Sequence, residues 1–359
     1  MGRDADIVVI GAGIAGVAAA RALAQSGRGV VLVEQFDLGH TYGSSHGASR
    51  IFRLSYSDPH YVRLAQSAQQ DWRELETECS EQLIAPSGVL DFGPVAIENA
   101  RALATCGVRH ESLTGAQVSE RWPITTQSGE TALFQPDGGI ILADRAYAAL
   151  LAAAVESGAV VLERTRVTGI ELEHGSVRIR TDGDEIMARA CVVAAGAWAR
   201  DLLSGVEIEL AVVPTRETVA YFRLPDPFAL PPVIDDAIPD ADEHGLLRSG
   251  LINYALAAPG LGLKAGLHHS GPPATPDEEG VADPAVVRWV STWAAQRYPE
   301  LDPEPIATET CLYTNTADES FVLEQHGRIV VASACSGHGF KFAPTFGRTI
   351  AALARNAAA

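Results

Sequence analysis

The chain has 359 residues, enough for two joined domains that each bury an apolar interior, and its 47% hydrophobic and 20% charged content is that of a folded globular protein. Forty-five acidic against 27 basic side chains give a net charge of −18, a field that repels phosphate backbones and anionic lipid, so neither nucleic acid nor a membrane is an expected partner. The five cysteines (Cys79, Cys106, Cys191, Cys311, Cys335) include no CxxC pair, which argues against a disulfide framework or a zinc site, and no metal is expected.

In chain order, Asp6 to Ile10 reads as a buried strand, Ile14 to Ser26 as an Ala-rich helix and Val30 to Glu34 as a second strand. The apolar opening at Ile7 to Ile10 is far shorter than the roughly 18 residues of a membrane span, and no basic stretch or cleavage site frames it, which points to a cytoplasmic protein. A Gly/Ser-rich loop, Gly39 to Ser49, precedes a helix from about Pro59 to Cys79, with Tyr61, Leu64, Ala65, Trp72 and Leu75 at helical spacing. Ala146 to Ser157 reads as a helix, Val167 to Glu173 with Val177 to Arg180 as a hairpin turning at His174-Gly175, and Cys191 to Ala194 as a strand. The stretches Pro225 to Asp242 and Gly271 to Pro284 read as surface connections, and Pro284 to Arg297 as a helix. A last turn at His326-Gly327 leads to the strand Ile329 to Ser333 and to a terminal helix from about Pro344. No composition shift marks a linker, so the domains are expected to interleave.

Gly11-Ala12-Gly13-Ile14-Ala15-Gly16 lies between strand and helix, where its glycines serve a tight turn, close approach to a pyrophosphate, and helix–strand packing. The helix N-terminus then faces the phosphates. Glu34 ends the next strand 18 residues beyond Gly16, in place to accept hydrogen bonds from an adenosine ribose. The fingerprint serves NAD and FAD alike.

Other blocks separate the two. Thr41 to Arg53 read TYGSSHGASRIFR, Gly266 to Gly271 GLHHSG, Cys311 to Phe321 CLYTNTADESF, and Ser336 to Phe342 SGHGFKF. From Asp6 to the terminal helix these resemble the family of monomeric sarcosine, N-methyltryptophan and pipecolate oxidases. The blocks YTNTADESF and HHSG look nearest to the pipecolate oxidases. The family's chains continue beyond the last helix whereas this one stops at Ala359, a departure expected to weaken lid or edge packing.

The resemblance implies a mixed α/β fold, a Rossmann-like FAD-binding domain (1–84, 143–212 and 317–359) interleaved with a substrate domain on a mixed β-sheet (85–142 and 213–316). It implies a monomer that oxidises a small secondary amino acid to an imine and passes the electrons to oxygen, forming hydrogen peroxide. A flavin-dependent dehydrogenase or biosynthetic tailoring oxidase acting on a larger amine, and a redox-inactive flavin-binding protein, are the alternative readings. The pocket walls are expected from Pro225 to Asn253.

Only two lysines, Lys264 and Lys341, stand among the 27 basic residues, as if lysine persisted only where a compact ammonium cannot be replaced by a planar guanidinium. By resemblance Lys264 activates oxygen, while Lys341 and Arg53 clamp the substrate carboxylate. Arg50 and His46 resemble the pair over the opposite flavin face. His268 resembles the pocket histidine. Its neighbour His269 competes for that role, but adjacent strand residues point to opposite faces and the spacing from Lys264 favours His268. Tyr254 reads either as a pocket tyrosine or as a core one.

Gly337-His338-Gly339 resembles the turn that aims backbone N–H groups at the flavin pyrimidine edge. Gln35, Ser44, Val167, Ala195, Gly196 and Trp198 fall at further cofactor positions of the family. Cys311 resembles the cysteine that binds FAD covalently, with Cys335 as its rival.

Overall fold

The computed structural model describes residues 3–236 and 251–359. Apolar runs such as Ile7 to Ile10 and Val30 to Val33, buried on both faces, belong in the middle of a parallel sheet. Arg3–Ile10 accordingly pairs in parallel with Val30–Val33 on one side and Glu185–Val193 on the other. Val160–Leu162 and Ile329–Ser333 extend the parallel core at its two ends. The hairpin Val167–Glu173 with Ser176–Thr181 joins it antiparallel, as its turn residues predict. The strand expected at Cys191 begins earlier, at Glu185, because alternating Ile186, Ala188 and Ala190 already bury one face.

A second eight-stranded sheet carries Val213–Phe222, Ile252–Ala258, Gly262–His268 and Pro305–Asn315. It is mixed, since Val233–Asp235 runs parallel to Val89–Phe92 and antiparallel to Ile252–Ala258. Here the structure corrects the sequence reading. Within the supposed surface connection Pro225 to Asp242, the segment Val233–Asp235 is a fully buried internal strand, too short for a periodicity to emerge from its Pro/Asp-rich surroundings. Residues 237–242 of that stretch lie outside the described residues.

A small third sheet joins Ser49–Phe52, Gly139–Leu142 and Ile84–Pro86. The helix Pro59–Cys79 starts where Asp58 accepts from His60 N with Pro59 in the first turn, and it buries Val62, Ala65, Ala68, Trp72 and Leu75. Trp72 is fully buried and its indole N–H donates to Lys341 O at 2.6 Å, tying this helix to the turn that presents Lys341. Trp72→Ala is expected to cost ~3–5 kcal/mol in chemical denaturation, since cavity and lost hydrogen bond fall at one place. Among the described residues no helix is long and apolar enough to cross a membrane.

Candidate active site

One cavity of about 830 Å³ runs from the glycine turn after Arg3–Ile10 to the second sheet. Its first end is built by Gly11, whose φ of +98° and close approach to Ala194 O (2.6 Å from a would-be Cβ) admit no side chain. The helix Ile14–Gln25 starts there with no acidic residue in its first turn, and Ile14 N donates to Ser45 Oγ at 2.9 Å. Glu34 lines this end and accepts from Ala12 N and Phe36 N at 2.8 and 3.0 Å. Burial works to raise its pKa, but His40 and these two N–H groups outweigh it and hold Glu34 below the usual carboxylate range. Gly13, Ile14, Ala15, Gln35, Ser44, Val167, Ala195, Gly196 and Trp198 border the same space. Gly16 does not: it packs against Gly11, where a Cβ would stand 1.9 Å from Gly11 O.

At the other end the second sheet presents one face. On Gly262–His268, Lys264, Gly266 and His268 alternate, opposite Leu256, Tyr254 and Ile252 of the neighbouring strand. Tyr254 lines the cavity, its ring taking the space that Gly266 leaves free, and it also packs against neighbouring apolar side chains. His268 lines the cavity and exchanges a 3.2 Å hydrogen bond between its Nδ1 and the Tyr313 hydroxyl. His269 does not oppose it across a strand. It follows the strand's last residue at φ +60° and turns its Nε2 to Glu319 at 3.5 Å, so backbone departure rather than strand alternation separates the two histidines. His268, His269 and Glu319 bring three ligand-type atoms within 4.8 Å, but Arg53 and Lys341 beside them oppose a dication.

Four cations border the chamber, Arg50, Arg53, Lys264 and Lys341, and among the described residues none of them forms a direct ion pair with a carboxylate. Lys341 Nζ donates to the Tyr56 hydroxyl at 2.9 Å and to His338 O at 2.8 Å. His338 Nε2 lies 3.0 Å from Glu319 O, which can only accept, so Nε2 carries the proton and Nδ1 accepts from the Tyr56 hydroxyl at 3.3 Å. Burial and the nearby Lys341 push the His338 pKa down to about 3, keeping the ring neutral. Burial and then Arg53 hold Lys341 well below an ordinary lysine. Arg53 stacks 4.4 Å over the Tyr56 ring and donates to Ser55 O at 2.6 Å.

Toward the middle of the cavity, Arg50 donates to the carbonyls of Ser44 and His46 at 2.9 and 2.6 Å. Burial, with Arg50 and Lys264 close by, lowers His46 to about 4 and leaves it neutral. Burial and then Arg50 lower Lys264 to about 8. Cys311 and Cys335 both border this region, and burial pushes the Cys311 thiol up to about 11. The turn at Gly337-His338-Gly339 also borders the cavity, but His338 N and Gly339 N both donate to Cys335 O at 3.0 Å, so these two N–H groups are held within the turn.

The cavity therefore gathers every residue given a cofactor, substrate or catalytic role from the sequence except Gly16, and it leaves out His269, the rival of His268. Sequence reading missed Ser45, Tyr56, Tyr221, Glu309 and Tyr313. Strand alternation about Cys311 would have found Glu309 and Tyr313, two residues to either side on the same face. Of the expected wall Pro225 to Asn253, Ile234 and Ile252 line the cavity, and residues 237–250 lie outside the described residues.

The cradle fits a dinucleotide: the open helix start, the glycine turn and the Glu34 acceptor sit at one end of a cavity long enough to lead on to a separate chamber. A dinucleotide site opening into a cation-lined chamber defines a redox enzyme of the α/β class. The chain belongs to the FAD-dependent oxidoreductase family, whose model matches residues 6–353. It is 34% identical to the human peroxisomal sarcosine oxidase, over 96% of this chain and 90% of that one. It is 32% identical to the monomeric sarcosine oxidase of a Bacillus species, over 99% of this chain and 93% of that one. Among solved structures, an unusual amino acid oxidase essential for nikkomycin biosynthesis superposes with a TM-score of 0.87 at 28% identity, covering 98% of this chain and 94% of that one.

Proposed function

We propose that the protein is an FAD-dependent oxidase of small secondary amino acids: sarcosine, other N-methyl amino acids, or cyclic imino acids such as pipecolate or proline. The products are an imine and hydrogen peroxide. The observation that carries this reading is the pair Arg53 and Lys341, two cations facing one chamber, neither in a direct ion pair with a carboxylate among the described residues, although the buried Asp91 feels the Arg53 charge. Buried charge left unpaired is costly, and a carboxylate ligand neutralises it. The sarcosine oxidases to which the chain is similar support the amine half of the proposal. Residues 1–84, 143–212 and 317–359 form the cofactor-holding part in this reading, 85–142 and 213–316 the substrate part, and the protein acts as a cytoplasmic monomer.

FAD, held by Gly11, Gly13, Ile14, Ala15, Glu34 and their neighbours and anchored at Cys311, supplies the two-electron acceptor. Arg53 and Lys341 orient the substrate by its carboxylate. Tyr56, which accepts from Lys341 and donates to His338, fixes the direction of that ammonium. The positive potential of the chamber disfavours a protonated amine and so selects the neutral form that can be oxidised. His268, held well below its ordinary pKa by burial and by His269, contacts the substrate without adding charge. Ile234, Ile252 and Leu256 add apolar side chains to the cavity lining, which limits the water that reaches the substrate. Lys264 beside Arg50 stabilises the negative charge that develops on oxygen.

The test is addition of sarcosine, other N-methyl amino acids and pipecolate to the yellow protein without oxygen. Bleaching by at least one of them, and one peroxide per turnover in air, is the expected result. Bleaching without peroxide favours a dehydrogenase, and colourless folded protein that takes up no flavin overturns the proposal. Lys341→Met is expected to raise KM about 30- to 150-fold, the equivalent of ~2–3 kcal/mol for one charged hydrogen-bond partner, with a smaller change in kcat. Steady-state assays at saturating oxygen check this.

A further inference from the structure

Glu309 was not anticipated from the sequence and has no role in the reaction as described so far. On Pro305–Asn315 it shares the cavity face with Cys311. The register of Val213–Phe222 sets Val219 opposite Glu309 and Tyr221 opposite Lys264. The Tyr221 hydroxyl donates to Glu309 Oε2 at 2.7 Å, and its ring centroid lies 5.9 Å from Lys264 Nζ. Arg50 Nη1, Lys264 Nζ and the Tyr221 hydroxyl surround one point: a Cβ built on Gly47 would lie 3.5, 3.8 and 3.9 Å from them.

Two cations share this water-poor space, and each opposes the other's charge. The charged and titratable groups that face Lys264 are Arg50 from Ser49–Phe52, Glu309 and Cys311 from Pro305–Asn315, and Asp144 from the helix Ala143–Glu156. Tyr221 adds a phenol held by Glu309, and His46 is neutral above about pH 4. Cys311 keeps its proton to about pH 11, so at neutral pH the carboxylates must offset Arg50, and Glu309 acts on Lys264 more strongly than Asp144.

We propose that Glu309, fixed by the Tyr221 hydroxyl, is the positioning residue that keeps the Lys264 ammonium charged inside the cavity and thereby sets the upper pH limit of the oxygen half of the reaction. The second half of this statement rests on the role of Lys264 proposed above; the first half does not.

Two lysines in the whole chain make the test direct. Lysine labelled with ¹³C at Cε gives two signals in the resting flavoprotein, and Lys341→Met identifies which belongs to Lys264. Its titration midpoint is expected near 8 in the parent protein. Glu309→Gln is expected to lower it by about one pH unit, a tenfold loss of proton affinity, with Glu309→Asp close to the parent and Tyr221→Phe between. The alkaline limb of flavin reoxidation should move by the same amount.

A midpoint unmoved in Glu309→Gln overturns the assignment whatever Lys264 does. If that variant does not fold, a midpoint unmoved in Tyr221→Phe has the same force. A midpoint that moves while reoxidation keeps its pH profile overturns the oxygen role of Lys264 and leaves the Glu309 pairing standing.

Discussion

Lys264→Met is expected to leave anaerobic bleaching of the yellow protein near its parental rate and to slow the return of colour in air by about 10²–10³-fold, the usual effect of removing one preorganised electrostatic group. Methionine fills much of the same volume without the charge, so packing beside Tyr221 is largely kept. Stopped-flow spectroscopy separates the two halves. Equal loss in both would mean that Lys264 positions the substrate, and unchanged reoxidation would remove its role.

The same residue predicts a pH dependence. Its folded pKa is lowered to about 8, so the ammonium is present below that pH and is lost as pH rises through it, and the oxygen half should slow there. The stability effect has the opposite sign. Between about 8 and 10.5 the unfolded chain holds a proton that the folded chain has released, so this group's contribution to stability rises with pH across that window.

What could be read from the sequence follows from how local each signal is. The glycine fingerprint, the parallel strands and the helices Pro59–Cys79 and Pro284–Arg297 were legible because turn chemistry, capping and periodicity lie within one segment. Asp283 before Pro284 is such a signal, its side chain accepting from Ala285 N at 2.8 Å. Val233–Asp235 was not legible, because what makes it a strand is the pair of neighbours 143 residues upstream and 22 downstream, at Leu90 and Ala255. The four chamber cations were marked by the family blocks and, for the lysines, by their scarcity. The groups that orient them were not: Tyr56 answers Lys341 across 285 residues, and Tyr221 meets Glu309 across 88. A lone tyrosine carries no sequence pattern that announces such a partner.

If Cys311 is the tether proposed above, acid precipitation of the parent is expected to leave the yellow colour in the pellet, and Cys311→Ser is expected to release all of it to the supernatant. Geometry favours this thiol over the others. Cys191 is fully buried in the parallel sheet with its pKa raised to about 12, and Cys79 and Cys106 do not border the cavity. Cys335 does border it, but its sulfur accepts from Thr314 N at 3.4 Å and lies 3.9 Å from Ser44 Oγ, so it is held by the protein. Cys311 stands on a strand face between Glu309 and Tyr313, near two cations that partly offset the effect of burial on its thiol. The thiolate is the reactive form, so attachment to flavin-free protein supplied with FAD should accelerate about tenfold per pH unit until the thiol titrates near 11. Cys335→Ser should keep the colour in the pellet; a pellet that stays yellow in Cys311→Ser and whitens in Cys335→Ser moves the tether to the second thiol.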